Sequence, residues 1–310
     1  MFVLASLSRY DSFMPVEDPT TKQDSELAGG IGSVFVLPDE PVYVIGADLW
    51  SPFNLGELWH NRELIYFMVW RDVKVRYKQT LLGASWAIIQ PLFTMLVFNV
   101  FFGRLAQVPS DGLPYPVFSY AGLLPWTFFS NAVGKGSGSL VSQSRMVTKS
   151  YFPRIILPAT PIGVGLVDFA SAMLVYFGLM AWYGLRPGFG ILMLPVLIAL
   201  TATVALGTSL LFSIWMVKYR DIRQVVPFVI QIWMFASPVI YPTTMVPDKW
   251  RWILMLNPMT GIIDGFRACL LDDRPFDWPA LGLSFVIATL LLLFSTYVFR
   301  RTERTVADHI

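Results

Sequence analysis

The chain has 310 residues, of which 55% are hydrophobic, 15% aromatic and only 14% charged, with a mean hydropathy of +0.57. That is too apolar and too poor in charge for an ordinary soluble domain, and too aromatic for a disordered chain. The net charge of +2 gives no reason to expect a nucleic-acid partner, and one cysteine with two histidines excludes a disulfide framework and argues against a Cys/His metal centre.

Taken in chain order, residues 1–54 read as a polar N-terminal arm without the basic, then apolar, layout of a secretory signal. Residues 55–82 read as an amphipathic interface helix. Apolar and charged side chains alternate there at spacings of three and four, among them Trp70, Arg71, Lys74, Arg76, Tyr77 and Lys78. A basic, Trp-bearing helix just before a span belongs in the membrane interface, either as an anchor or as a lever touching a cytoplasmic partner. A span needs about 20 mostly apolar residues. Six stretches in 83–301 qualify, at about 86–104, 116–134, 155–183, 189–217, 224–242 and 280–299. A seventh apolar stretch, about 246–272, is interrupted by Asn257, Pro258, Gly261 and Gly265 and reads as a re-entrant segment. Residues 302–310 form a tail. The fold class is therefore an all-α, polytopic membrane protein.

Lysines and arginines set the orientation. One side receives Arg62 to Lys78, then Lys135, Arg145, Lys149 and Arg154, then Lys218, Arg220 and Arg223, then Arg300, Arg301 and Arg304. The other side receives Arg104, Arg186, Lys249, Arg251, Arg267 and Arg274. The bias keeps its sign at every loop, so both termini are expected in the cytoplasm.

Catalytic constellations are missing. The run from Gly134 to Ser137 has a lysine between glycines but lacks the spacing of a phosphate loop, and there is no nucleophile elbow. Asp168, in the middle of the third span, is a costly carboxylate at that depth. It is either a packing carboxylate satisfied by a neighbouring hydroxyl or a functional acid, and no chain of acids or histidines accompanies it. Gly163 and Gly165 suit close helix approach. Aromatic residues crowd three spans: Phe93, Phe98, Phe101 and Phe102 in the first, Trp126, Phe128 and Phe129 in the second, Phe228, Trp233, Phe235 and Tyr241 in the fifth. Singly they read as belts and lipid-facing filler; together they suit a conduit on which sugar C–H faces slide.

The motifs RDVKVRYKQTLLG at 71–83, WAIIQP at 86–91, GLLPWTFF at 122–129, KSYFPR at 149–154, YRDI at 219–222, SPVIY at 237–241 and NPM at 257–259 carry a resemblance. From about residue 55 to 301 the chain resembles the membrane subunit of type-2 ABC transporters that export polysaccharides such as O-antigen, capsule and teichoic acid. The resemblance implies a homodimer with a pore between subunits, in the cytoplasmic membrane of a bacterium. It implies two copies of a separate ATP-binding subunit, so that ATP and Mg are cofactors of the partner and this chain has none. A coupling helix at about 142–154 would meet that partner through Lys149, Tyr151, Phe152, Pro153 and Arg154. The first and fifth spans would line the pore with their aromatics. The re-entrant segment would close it from outside, with Trp250, Trp252, Asn257, Pro258 and Phe266 as an external gate. The cargo would be a lipid-linked polysaccharide. A drug, haem or lipid exporter of the same superfamily, an intramembrane glycosyl- or acyltransferase and a secondary transporter are the rival readings.

Overall fold

A computed structural model of the chain describes residues 61–78, 85–149, 152–271 and 275–309, all within the unit Asp48–Ile310. The expected arm at 1–54 lies outside the described residues, as do both ends of the expected interface helix. Every regular element among the described residues is helical. In chain order these are α1 (Arg62–Lys78), α2 (Ser85–Phe98) continuing into a π-helix (Asn99–Leu105), α3 (Tyr115–Ser137), α4 (Ser139–Ser142), α5 (Ser144–Lys149), α6 (Ile156–Trp182), α7 (Leu194–Lys218) after a 3₁₀ turn, α8 (Ile222–Phe235), α9 (Asp248–Met255), α10 (Pro258–Leu270) and α11 (Trp278–His309).

Four helical segments are long and apolar enough to cross a membrane: Ile88–Leu105, Ile156–Trp182, Phe189–Lys218 and Trp278–Thr302. They coincide with the first, third, fourth and sixth expected spans. The second and fifth are helices that fail this test for different reasons. Helix α3 is enclosed by α2, α6, α7, α8 and α10. Its buried side chains include Phe118, Tyr120, Trp126, Phe128 and Phe129. A helix wrapped by protein needs little lipid-facing apolar surface, so α3 carries Ser119, Thr127, Ser130 and Asn131 without cost, their hydroxyls bonding back to its own carbonyls where given. Helix α8 has 14 residues, a rise of about 21 Å, less than the roughly 30 Å hydrocarbon core.

Helix α3 organises the core. Phe128 meets Phe169 of α6, Phe129 meets Trp233 of α8, and Phe169 in turn meets Phe266 of α10. A second, smaller cluster joins Met68 of α1 to Leu140, Ile156 of α6, Leu210 of α7 and Phe299 of α11. Prolines sit inside four helices, at Pro91, Pro125, Pro161 and Pro227.

Three expectations change. Helix α1 does not gather its apolar residues on one face: Met68 and Val73 are buried, whereas Tyr66, Phe67, Trp70 and Val75 are exposed. Its protein-facing side also holds Asp72 and Arg76. The coupling segment is not one helix but two short ones, α4 and α5, ending at Lys149. The segment at 246–272 is a pair of helices, α9 and α10, that break at Asn257. The last helix runs on to His309, through most of the expected tail.

Candidate functional site

Two polar sites stand out from this apolar frame, one at α1 and one at α10. At the first, α1 climbs alongside the first half of α6. Thr160 lies against Met68, Gly163 against Val69, and Asp168 against Arg76 and Tyr77. Nine residues of α1 thus match eight of α6, about 12–13 Å on each, so the helices run side by side. Gly163 makes this approach feasible, because a Cβ there would stand 2.6 Å from Val69 Cγ2. Gly165 does the same for α3, where a Cβ would stand 3.0 Å from the Phe128 ring.

Asp168 is satisfied twice. Arg76 Nη1 pairs with Oδ2, and the Tyr77 hydroxyl donates to Oδ1 at 2.6 Å. The packing-carboxylate reading holds, and its strongest partner is a guanidinium that sequence inspection had assigned to an outward-looking helix. Burial and the bond to Asp168 push the Tyr77 phenol up to about 12, so it stays a donor at neutral pH. One turn earlier, Arg71 pairs with Asp72 at 2.8 Å and donates to Gln143 beside α5 at 3.3 Å. Trp70 and Lys74 remain outside, with the ammonium 5.0 Å from the indole ring, and Lys78 is exposed.

Between α1, the end of α3, α4 and the starts of α6 and α8 lies a cavity of about 510 Å³. Its lining includes Arg76, Lys135 and Arg223, with Gln143, Pro161, Val164, Met216, Val226 and Pro227. Of the expected coupling residues, Tyr151 lies outside the described residues, and so does the side chain of Lys149. Phe152 is half-buried against the smaller apolar cluster, so its ring is partly used by its own chain rather than standing free as a knob. Pro153 and Arg154 are half-buried.

The second polar site is drier. Arg267 is fully buried on α10. It donates to the Val239 carbonyl at 2.9 Å, pairs with Asp264 at 3.3 Å, and lies 3.8 Å over the Phe118 ring. Gly122 of α3 provides the room, since a Cβ there would meet the guanidinium at 2.8 Å. Asn257 caps α10 by accepting from Met259 N at 3.0 Å. The same side chain accepts from Trp233 Nε1 at 2.9 Å and donates to Ser237 Oγ at 2.8 Å, binding the end of α8 to the start of α10. Tyr115 adds a bond to the Ile240 carbonyl at 2.9 Å. Trp233, Tyr241, Trp250, Asn257 and Pro258 border a second cavity, of about 470 Å³.

The expected external-gate residues therefore divide. Phe266 and Pro258 are core, Asn257 is a structural hub, and Trp250 and Trp252 are exposed at 56% and 61%. The expected path residues divide too. Trp126, Phe128 and Phe129 are buried in the subunit core, with ring partners of their own, and so form no surface for a path. Phe98 is buried and Phe102, Trp233 and Tyr241 are half-buried. Phe93 and Phe101 on α2 and its π-helical end, with Phe228 and Phe235 on α8, are exposed. Among the described residues no group of three His, Cys, Asp or Glu is placed to hold a metal.

Comparison with known proteins adds the rest. Residues 63–271 match the family model described as "ABC-2 type transporter". Over 257 residues the chain is 29% identical to the O-antigen export system permease protein RfbA of Myxococcus xanthus, covering 82% of this chain and 98% of that one. It is 24% identical to the RfbA protein of Klebsiella pneumoniae, covering 83% and 97%. It is 22% identical over 238 residues to the polysialic acid transport protein KpsM of Escherichia coli, covering 75% and 90%.

Proposed function

The chain belongs to the ABC-2 type transporter family, as a multi-pass protein of the inner membrane, and from that premise we propose that it is the permease subunit of an ATP-driven polysaccharide exporter. The reading is carried by its near full-length likeness to permeases named for O-antigen export. Its cargo is a lipid-linked polysaccharide, moved outward without covalent chemistry in this chain. A separate subunit binds and hydrolyses ATP, and two copies of each chain make the working unit.

The geometry supports this reading in three respects. First, α3 and α8 supply the second and fifth crossings of a six-span subunit, α3 shielded by its neighbours and α8 short, with both termini cytoplasmic. Second, the exposed rings of Phe93, Phe101, Phe228 and Phe235 give α2 and α8 aromatic faces that their own subunit leaves uncovered. Facing the same surfaces of a second copy, they line a sugar path. Third, α1, α4 and α5 meet at the end where the coupling segment begins, so an ATPase pressing on α5 would also press on α1 through Gln143 and Arg71. A ligand shifts a two-state protein only by binding one state better, and ATP on the partner is that ligand here. Helices α9 and α10 form the outer, re-entrant closure.

The test is removal of the chain from its own cell, with the surface glycan and the intracellular lipid-linked pool both assayed. Export requires surface polymer to fall and the internal pool to rise. A normal surface with a normal internal pool overturns the proposal. Affinity purification from the native membrane then asks whether an ATPase copurifies in equal amount.

A further inference from the structure

The cavity beneath α1 is used neither by the packing nor by the proposed path. Three cations line it: Arg76, Lys135 and Arg223. Arg76 is neutralised by Asp168, and the one lining carboxylate, Asp72, is taken by Arg71. Among the described residues neither Lys135 nor Arg223 is in an ion pair. Two positive side chains on one recess repel, and an anion between them reverses the sign of that interaction. The rest of the lining is apolar, chiefly Val164, Met216 and Val226. At about 510 Å³ the cavity falls in the roughly 300–1,000 Å³ range of small-molecule sites. A free inorganic anion would leave that apolar wall unused; an amphiphile uses both.

We propose that this cavity binds the phosphate-bearing head of a lipid, a phosphate or diphosphate ester, with Lys135 and Arg223 on the anion and Val164, Met216 and Val226 along the start of the chain. That the lipid is the carrier of the exported glycan rests on the function proposed above; the site itself does not. Lys135 ends α3 and Arg223 opens α8, so one anion reaching both ties the core helix to a helix of the proposed path. Arrival of the lipid head is thereby felt where the path must open.

The experiment uses the full chain in phosphatidylcholine nanodiscs and titrates farnesyl diphosphate, with farnesol and inorganic pyrophosphate as controls. Farnesyl diphosphate binds and farnesol does not. Lys135→Gln and Arg223→Gln each weaken binding by about tenfold to a hundredfold, as loss of a charged hydrogen bond requires. Lys135→Arg retains binding, and unliganded variants keep the parental melting temperature, which separates a binding defect from misfolding. Competition by phosphatidylglycerol assigns the site to anionic lipid heads in general, and its failure assigns it to diphosphates. Unchanged affinity in the Lys135→Gln, Arg223→Gln double variant overturns the proposal, as does pyrophosphate binding as tightly as farnesyl diphosphate. Intact binding in a chain whose loss leaves surface glycan normal overturns the exporter reading and leaves this site standing.

Discussion

The two polar sites hold the bundle together in opposite ways. At α10, Arg267 and Asn257 are locked into a dry network whose partners lie on α3, α8 and the turn at 237–241. At α1, the Arg76–Asp168 pair is partly exposed, borders a cavity, and joins two helices that meet along a single line. A buried charge stripped of its partner costs far more than a half-exposed one, because water rescues the second and cannot reach the first. The α10 end is therefore built as a fixed frame, and the α1 end as a joint that parts and reforms at modest cost.

Four substitutions test that contrast, from the largest expected effect to the smallest. Arg267→Ala should cost about 3–5 kcal/mol, leaving Asp264 and the Val239 carbonyl unsatisfied in the core. Thermal unfolding in detergent reads this, and a loss under 1 kcal/mol would contradict a fixed frame. Asn257→Ala should cost about 2 kcal/mol, the sum of a helix cap and its tie to Trp233 and Ser237, seen in the same melt and as a shift in Trp233 fluorescence. Asp168→Asn should cost about 1 kcal/mol, because the amide still accepts from Tyr77. A double-mutant cycle with Arg76→Gln should be non-additive, whereas Arg76→Gln with Asn257→Ala should be additive. Phe228→Ala, at an exposed ring, should alter stability by less than about 0.5 kcal/mol while lowering glycan export; a melt that drops with it would make the ring a packing residue instead.

Legibility in the sequence followed the physics of each element. Helices α2, α6, α7 and α11 face lipid, so uninterrupted hydropathy reveals them. Helix α3 was legible only as a span boundary, since burial by protein removes the need for a greasy surface; nothing in its composition announces that it is the centre. Asp168 was visible as an anomaly, but its partner lies 92 residues away, and no local pattern connects the two. Arg267 was counted among outside charges because a positive residue near a loop normally is one. The available signal was its place three residues after Asp264 in a helix with Gly261 and Gly265, an internally neutralised cation on a tightly packed helix. Aromatic residues gave the weakest guide, for the same residue type fills the core at Phe129 and faces outward at Phe228.

Pro161 and Pro227 both line the cavity beneath α1. Each deletes one rung of its helix's backbone ladder and leaves the carbonyl four residues earlier, on Leu157 and Arg223, without its helical donor. Bending stiffness is lowest where rungs are missing, so α6 and α8 flex most easily at the height of the same recess. This compliance is written in covalent structure. Salt and pH, which tune the charges around the recess, leave it unchanged.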